Sequence, residues 1–194
     1  MPAQLPTAGQ ITSKMKIGWN LGNILEATWV PRNSFGTTTQ ATIDSVKAAG
    51  FNTVRLPVAW YYHSNVNTSV IDTAWLRNVK KVVDFCMKDS MYVIINAHWD
   101  TGWLENHVTV ADSASVNPRQ RAYWTQIANY FKEYNEHLLL PEQMNPMFQM
   151  LPVCLSFCRT INPLLIPFGQ QGGITVHVRW LFRDRQLISK LPVN

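Results

Sequence analysis

The sequence lacks any long hydrophobic run: no segment approaches the roughly 18 consecutive apolar residues that a membrane-spanning helix needs. It also lacks a cluster of basic residues. Its 17 Lys and Arg residues are scattered, so the formal net charge of +5 forms no strip that could follow a phosphate backbone. Residues 1–7 contain neither a basic nor an apolar segment, and we expect no signal peptide in this chain. These absences argue against a membrane or a nucleic acid as partner.

Cysteine is scarce, and the three cysteines cannot form a disulfide framework because an odd count leaves at least one of them unpaired. Cys154 and Cys158 have the spacing of a possible metal pair on a helix. No His or Asp accompanies them at ligand spacing, so incidental cysteines are the better interpretation. We therefore expect neither a metal nor another cofactor.

Aromatic residues, in contrast, are frequent, with eight Trp and six Tyr in 194 residues. Their large rings can fill a hydrophobic core, and they can also stack on the C–H faces of sugar rings. An apolar content of 46% in a chain of this length is compatible with one globular domain.

Strand and helix signals alternate along the first 139 residues. Short β-branched or apolar runs closed by Gly or Pro predict strands, and longer segments with one apolar face predict helices. Asn117-Pro118 has the pattern of an N-cap followed by proline at the first helical position. The predicted strands cover residues 15–21, 51–58, 91–97 and 137–139, and the predicted helices cover residues 38–49, 72–88 and 117–131.

This order of elements predicts an α/β fold with a parallel sheet and right-handed crossovers. An open doubly wound sheet and a closed TIM (β/α)8 barrel both satisfy it. Gly18 and Gly22 do not form the G-x-G-x-x-G loop of a dinucleotide fold, which favours the barrel. A complete barrel needs about 250 residues. We therefore predict a partial TIM barrel of three to four β/α units.

Polar and aromatic side chains gather at the ends of the predicted strands, where barrel enzymes place their chemistry. Each has a structural alternative: Arg could pair with a buried carboxylate, His and Trp could be core residues, and single carboxylates could be solvated loop residues. Their occurrence at the same end of successive strands favours a site, because buried charges without partners are costly. The residues concerned are Trp19, Asn20 and Glu26, then Arg55, Trp60 and Tyr61, then His98, Trp99, Asp100 and Trp103.

Three motifs in this order resemble glycoside hydrolase family five, most closely its endo-β-1,4-glucanases. They are residues 18–23 (GWNLGN), 51–58 (FNTVRLPV) and 95–98 (INAH). The resemblance implies that Arg55 orients and polarises the nucleophilic carboxylate and that His98 hydrogen-bonds the substrate or the acid/base. It also implies aromatic platforms for a β-1,4-glucan, with Trp19, Asn20, Glu26, Tyr61, Trp99 and Trp103 as the substrate-binding candidates. Trp99 departs from the family pattern, since many members have a second His there.

The two catalytic carboxylates of a retaining glycosidase, which lie about 5–5.5 Å apart, have no counterpart in this sequence. The resemblance places the acid/base in an Asn-Glu-Pro motif just after residues 137–139 and the nucleophile at a seventh strand. The chain continues instead as LPEQMNP, and Glu142, the only glutamate in residues 140–194, does not follow Asn. We therefore expect these 194 residues to be inactive.

The genetic code offers an explanation for the missing motif. In a frame shifted by one base, Met144 and Asn145 together force a Glu codon, and the adjacent codons allow Asn before it and Pro after it. Composition changes at the same place: residues 140–194 contain six of the eleven prolines but no Ala and no Tyr. We predict that residues 1–139 are half of a barrel and that residues 140–194 are a frameshifted, irregular and poorly ordered tail. The alternative is a genuine divergent domain.

The function implied by the resemblance is hydrolysis of β-1,4-glucosidic bonds with retention, by an endoglucanase acting outside the cell. A non-catalytic β-glucan-binding protein is the alternative from another class, and a half-barrel that dimerises into a closed barrel is a third. The sequence does not separate cellulose, mixed-linkage glucan, mannan and xylan as substrates.

Overall fold

The computed structural model describes residues 6–28, 37–98, 100–107 and 109–140, together with the backbone of residues 179–182. Four helices and five strands lie within these ranges. The helices are α1 (Ala8–Lys14), α2 (Gln40–Ala48), α3 (Thr73–Lys88) and α4 (Ser113–Tyr130). The strands are β1 (Ile17–Asn20), β2 (Thr53–Val58), β3 (Tyr92–Ala97), β4 (Leu138–Leu139) and β5 (Arg179–Phe182).

The strands form one sheet in the order β4-β3-β2-β1-β5, and every pair in it is parallel. From β1 to β4, neighbours in the sheet are also neighbours in the chain. A doubly wound sheet reverses its strand order at a switch point. The described part has no such reversal between β1 and β4, so its winding is that of a barrel, as predicted.

Side chains of successive strand residues alternate between the two faces of the sheet. One face packs against α2, α3 and α4: Val54, Leu56 and Val58 of β2 are fully buried in the same cluster as Ile43, Val79 and Ile127 of the three helices. We call this cluster the outer core. Burial of its apolar surface, worth about 25 cal/mol per Å², stabilises the β/α layer.

The opposite face of the sheet, here the inner face, carries a second and smaller cluster. Ile11 and Met15, in and just after α1, pack there against Tyr92 and Ile94 of β3 and Leu139 of β4. A capping box in which Thr7 and Gln10 exchange hydrogen bonds starts α1. No helix was predicted before β1. This short helix covers the inner face near the amino ends of the strands and leaves their carboxyl ends to the polar residues.

Six of the seven predicted elements begin one or two residues later than predicted, and the helix predicted at residues 117–131 is the exception. This helix, α4, begins at Ser113, so Asn117 is not its N-cap and Pro118 lies inside it. The amides of Ser115 and Val116 donate to the carbonyl of Asp112, which starts the helix one turn early and buries Val116. Pro118 lacks the N–H that would donate to residue 114, and the helix tolerates this loss near its start.

The tail contributes one described element: β5 pairs with β1 from Ile17↔Arg179 to Asn20↔Phe182. The other predictions for residues 141–194 lie outside the described residues. Within the described ranges, no helix is both long enough and apolar enough to span a bilayer.

Candidate active site

Arg55 lies at the centre of the polar cluster on the inner face. It alternates with the buried Val54 and Leu56, so its side chain points away from the outer core. Its Nη1 donates to Asn20 Oδ1 at 2.7 Å, and its Nη2 lies 3.2 Å from His98 Nδ1. Asn20 and Arg55 are register partners in β1 and β2, which places the amide beside the guanidinium. Arg55 therefore connects residues that come from three successive strands.

His98 follows β3, and its amide extends the ladder by donating to the carbonyl of Val58 at 3.1 Å. Arginine is only a donor, so the ring nitrogen facing it must be the acceptor, and the proton lies on Nε2. Burial, and secondly the charge of Arg55, lowers the pKa of His98. The imidazole is therefore neutral at pH 7, with an Nε2–H donor on the side of the ring away from Arg55.

Glu26 is buried beside this cluster, with 4% of its surface exposed. Its carboxylate accepts from the amides of Asn23 at 2.7 Å and Ile24 at 3.2 Å. Burial raises the pKa of Glu26, and the backbone hydrogen bonds and the charge of Arg55 oppose that rise. Burial likewise lowers the pKa of Arg55, opposed by the charge of Glu26. The two opposite charges thus stabilise each other where Glu26 is buried and Arg55 is half-buried.

The GWNLGN turn brings Asn20 and Glu26 together, and glycine is required in it by close packing. A Cβ on Gly22 would lie 2.9 Å from Asn20 Nδ2 and 3.5 Å from Glu26 Oε1. The next residue, Asn23, adopts a left-handed conformation with φ of 62°, which asparagine tolerates better than most residues. The motif is therefore a tight turn packed against the two polar side chains that it presents.

Tyr61 and Trp103, from the loops after β2 and β3, form an aromatic wall. Their rings stack at 15° with centroids 5.7 Å apart, and the edge of Tyr123 packs against Trp103. The guanidinium carbon of Arg119, on α4, lies 5.1 Å from the Tyr61 ring centroid and 5.9 Å from that of Trp103. A cavity of about 320 Å³ borders this wall and is also lined by His107.

Asp100 is buried and is not the solvated loop carboxylate that was one interpretation of its sequence position. It is 2% exposed, and its carboxylate accepts from the amides of Tyr61 and, at 2.9 Å, of Tyr62. Burial raises the pKa of Asp100 to about 7, although hydrogen bonds from the backbone oppose the rise. Asp100 therefore joins the loop after β3 to the loop after β2.

The structure thus brings Asn20, Arg55 and His98 into direct contact and places Glu26 within electrostatic reach of Arg55. Trp19 is buried in the outer core. Trp99 lies outside the described residues, and its role stays a prediction.

Arg119 was missed because nothing in the local sequence of α4 indicates a stacking arginine. No group of three or more metal-binding side chains occurs in the described ranges.

The chemistry open to this cluster is the binding and orientation of an anionic group. A guanidinium carries five N–H donors, so Asn20 and His98 occupy only part of Arg55. The remaining N–H donors of Arg55 suit a carboxylate, and the charge and hydrogen bonds of Arg55 would keep that carboxylate ionised. His98 adds a neutral Nε2–H donor beside it.

Comparison with known proteins shows what this chain is similar to. A sequence model of the family described as Cellulase (glycosyl hydrolase family 5) matches residues 13–151. Endoglucanase B of Clostridium cellulovorans is 44% identical over 142 residues, which cover 72% of this chain and 31% of that protein. The chain thus spans about a third of the length of the curated relatives it matches.

Solved structures give the same result. A broad-specificity endoglucanase from Ruminococcus champanellensis with bound cellotriose is 40% identical with a TM-score of 0.65, over 73% of this chain and 44% of that one. A Bacteroides ovatus xyloglucanase in complex with a heptasaccharide is 33% identical with a TM-score of 0.67, over 73% of this chain and 33% of that one.

Proposed function

Because this chain belongs to the cellulase family, glycosyl hydrolase family 5, we propose that residues 1–139 are the first half of an endo-β-1,4-glucanase. The enzyme they derive from hydrolyses β-1,4-glucosidic bonds with retention through a glycosyl-enzyme intermediate. The observation that carries this proposal is the contact of Arg55 with both Asn20 and His98 at the carboxyl ends of three successive parallel strands.

Arg55 has a role in this reaction that follows from its position. Held by Asn20 on one side and His98 on the other, its guanidinium is fixed in orientation before substrate arrives. It would bind the nucleophilic carboxylate, keep it ionised, and orient it toward the anomeric carbon. Neutral His98 would donate from Nε2 to the substrate or to the acid/base, without adding a second positive charge.

The substrate class that fits is a β-1,4-linked glucan. The half-buried Tyr61 ring, stacked on the buried Trp103, supplies aromatic surface next to a cavity, and Asn20 and Glu26 supply hydrogen-bonding groups near the turn after β1. One related structure holds cellotriose, and a related xyloglucanase holds a heptasaccharide. These ligands support a glucan as the substrate, with or without branches on its backbone. A polymer of this size cannot enter a cell, so the parent enzyme would act outside it.

We propose further that the 194-residue chain does not hydrolyse glycosidic bonds. Retention needs an acid/base and a nucleophile, and the family motif for the acid/base is absent from residues 140–147 in the frame given. Arg55 and His98 position reactants, but neither can replace a carboxylate as the glycosyl acceptor. A one-base shift near Leu139 or Leu140 would force Glu at the expected place and would allow Asn before it and Pro after it.

Two measurements test this proposal. The DNA of the source gene across codons 135–145 should show one inserted or deleted base; an intact single frame would make the tail a true part of the protein. The purified 194-residue chain, assayed for reducing sugar released from carboxymethyl cellulose and from xyloglucan, should give no signal above buffer. Clear hydrolysis would contradict the inactivity.

The aromatic wall favours a second candidate, a non-catalytic β-glucan-binding protein. Stacking on Tyr61 and Trp103 requires no catalytic carboxylate, so binding could persist where catalysis is lost. Sedimentation of the folded chain with insoluble cellulose tests it. If the chain sediments with cellulose and Tyr61→Ala abolishes this, β-glucan binding is supported. Equal recovery of the chain in the supernatant with and without cellulose would reject it.

A further inference from the structure

Asp100 and Trp103 belong to one loop, and both contact the same residue of another loop, Tyr61. Asp100 accepts from the backbone amide of Tyr61, and Trp103 stacks on its ring. The turn that starts at Tyr61 is closed by Ser64, whose amide and hydroxyl both donate to the Tyr61 carbonyl. Tyr61 is therefore held at its backbone and at its ring by a loop about 40 residues away in sequence.

The two residues of the aromatic wall are not equally buried. Trp103 is 8% exposed, packs against the edge of Tyr123, and lies in the outer core. Tyr61 is half-buried and sits at the surface of the sheet end, under Arg119. The position of the aromatic wall thus depends on the contacts that fix the loop of Tyr61. The buried Asp100 carboxylate accepts hydrogen bonds from two successive amides of that loop.

We propose that Asp100 is the positioning residue of the aromatic wall: by accepting from the Tyr61 and Tyr62 amides, its carboxylate holds the Tyr61 ring against Trp103. This inference concerns how the two loops are joined, and it stands whether or not the wall binds sugar. It also assigns to Asp100 a role that the proposed catalytic residues do not share.

The electrostatic surroundings of Asp100 make this junction sensitive to pH. Glu105, in the same loop, adds a like charge to Asp100, and the amides of Tyr61 and Tyr62 face Asp100 from the loop after β2. From α4, Tyr123 interacts with Asp100 and with Arg119, the nearby cation. Burial outweighs the backbone hydrogen bonds, so the carboxylate ionises near neutral pH instead of near pH 4. A pKa raised above that of a solvated carboxyl means that the closed junction favours the protonated form, so the junction loosens as pH rises through about 7.

The experiment uses the full 194-residue chain labelled with [¹⁵N]tyrosine, which gives six amide signals because the sequence has six tyrosines. Tyr61→Phe and Tyr62→Phe each remove one signal and so assign the two amides. Between pH 3 and 9, we expect the Tyr61 and Tyr62 amide shifts to titrate with one common midpoint near 7. The amides of Tyr92, Tyr130 and Tyr134 should not share this midpoint.

Asp100→Asn tests the cause. The variant should lose the common titration. At pH 5 it should also exchange the Tyr61 and Tyr62 amide protons about tenfold faster, as loss of a hydrogen bond implies, and weaken the nuclear Overhauser effects between the Tyr61 and Trp103 rings. Asp112→Asn is the matched control, because Asp112 accepts from Thr109 at the start of α4 and does not contact the wall. It should change none of these signals.

Two results would overturn the proposal. One is a wild-type chain whose Tyr61 and Tyr62 amides show no common titration anywhere between pH 3 and 9, a measurement that needs no variant and so holds even if Asp100→Asn fails to fold. The other is a folded Asp100→Asn variant that keeps both the titration and the ring-to-ring Overhauser effects of the wild type.

Discussion

Arg55 and His98 are joined side chain to side chain, with Arg55 Nη2 3.2 Å from His98 Nδ1, although 43 residues separate them in sequence. The contact sets the tautomer of His98 and uses one end of the guanidinium while Asn20 takes another. Burial, and secondly the charge of Arg55, lowers the pKa of His98. Under the proposed function, this contact is the part of the glycosidase site that lies within residues 1–139.

Arg55→Lys should destabilise the fold, because an ammonium cannot keep the planar geometry that serves Asn20 and His98 together. Leaving these buried acceptors poorly satisfied should cost about 1–3 kcal/mol of unfolding free energy, measured by urea denaturation. Arg77→Lys, on the exposed side of α3, is the control and should change stability little. Equal effects of the two substitutions would contradict the proposed cluster.

Gly22→Ala should disturb Asn20, whose Nδ2 would lie 2.9 Å from the new Cβ. The strain should cost about 1–3 kcal/mol of unfolding free energy. The chain offers a matched control in Gly9→Ala, since no atom lies within 4 Å of a Cβ built on Gly9. Gly9 is inside α1, so alanine there should stabilise by about 0.5–1 kcal/mol. Thermal denaturation of the two variants should therefore shift in opposite directions.

His98 should titrate below the ordinary histidine pKa of 6.5, because burial and the Arg55 charge both disfavour the imidazolium. The folded pKa is lower than the unfolded one, so His98 contributes stability that is present above about pH 6.5 and is lost as pH falls through its folded pKa. Ring ¹H–¹⁵N spectra recorded from pH 4 to 8 measure the pKa directly. Arg55→Met should raise it, and an unchanged value would show that the charge of Arg55 does not act on His98.

The pH dependence of stability that Asp100 contributes should be opposite to that of His98. Its pKa is raised from 3.8 to about 7, so its contribution is fully present below about pH 4 and is lost as pH rises through about 7. A shift of this size corresponds to up to about 4 kcal/mol. Unfolding free energies of the wild type and of Asp100→Asn, measured at pH 4, 5.5, 7 and 8, should diverge progressively in favour of the variant as pH rises. Parallel curves would show that Asp100 is not buried as described.

The order of β/α units and the placement of Arg55 and His98 at strand ends followed from sequence, because strand periodicity and the family motifs are local signals. The family and the partial TIM barrel were confirmed. The start of α4 was wrong, since burial of Val116 outweighed the local signal of Asn117-Pro118. Helix α1 was missed, since its stability depends on packing against Tyr92 and Ile94, far away in sequence.

The environment of Asp100 could not have been predicted from sequence for a similar reason. A carboxylate in a loop is usually solvated, and only the fold brings it under the Tyr61 and Tyr62 amides, 39 and 38 residues earlier. Arg119 is placed over Tyr61 by the path of α4, which no local pattern specifies. Local patterns thus located the strand ends, and tertiary packing decided which side chains meet there.

The most direct test of the central claim is the glucanase activity of the protein encoded by the source gene after its frame is restored at codons 139–140. Reducing-sugar release from β-1,4-glucan should appear in the restored protein, remain absent from the 194-residue chain, and fall at least about a hundredfold in restored Arg55→Ala, the scale expected when a group that stabilises the transition state is removed. A restored protein without activity, or one whose activity survives Arg55→Ala unchanged, would contradict the claim that these residues are half of a glycosidase active site.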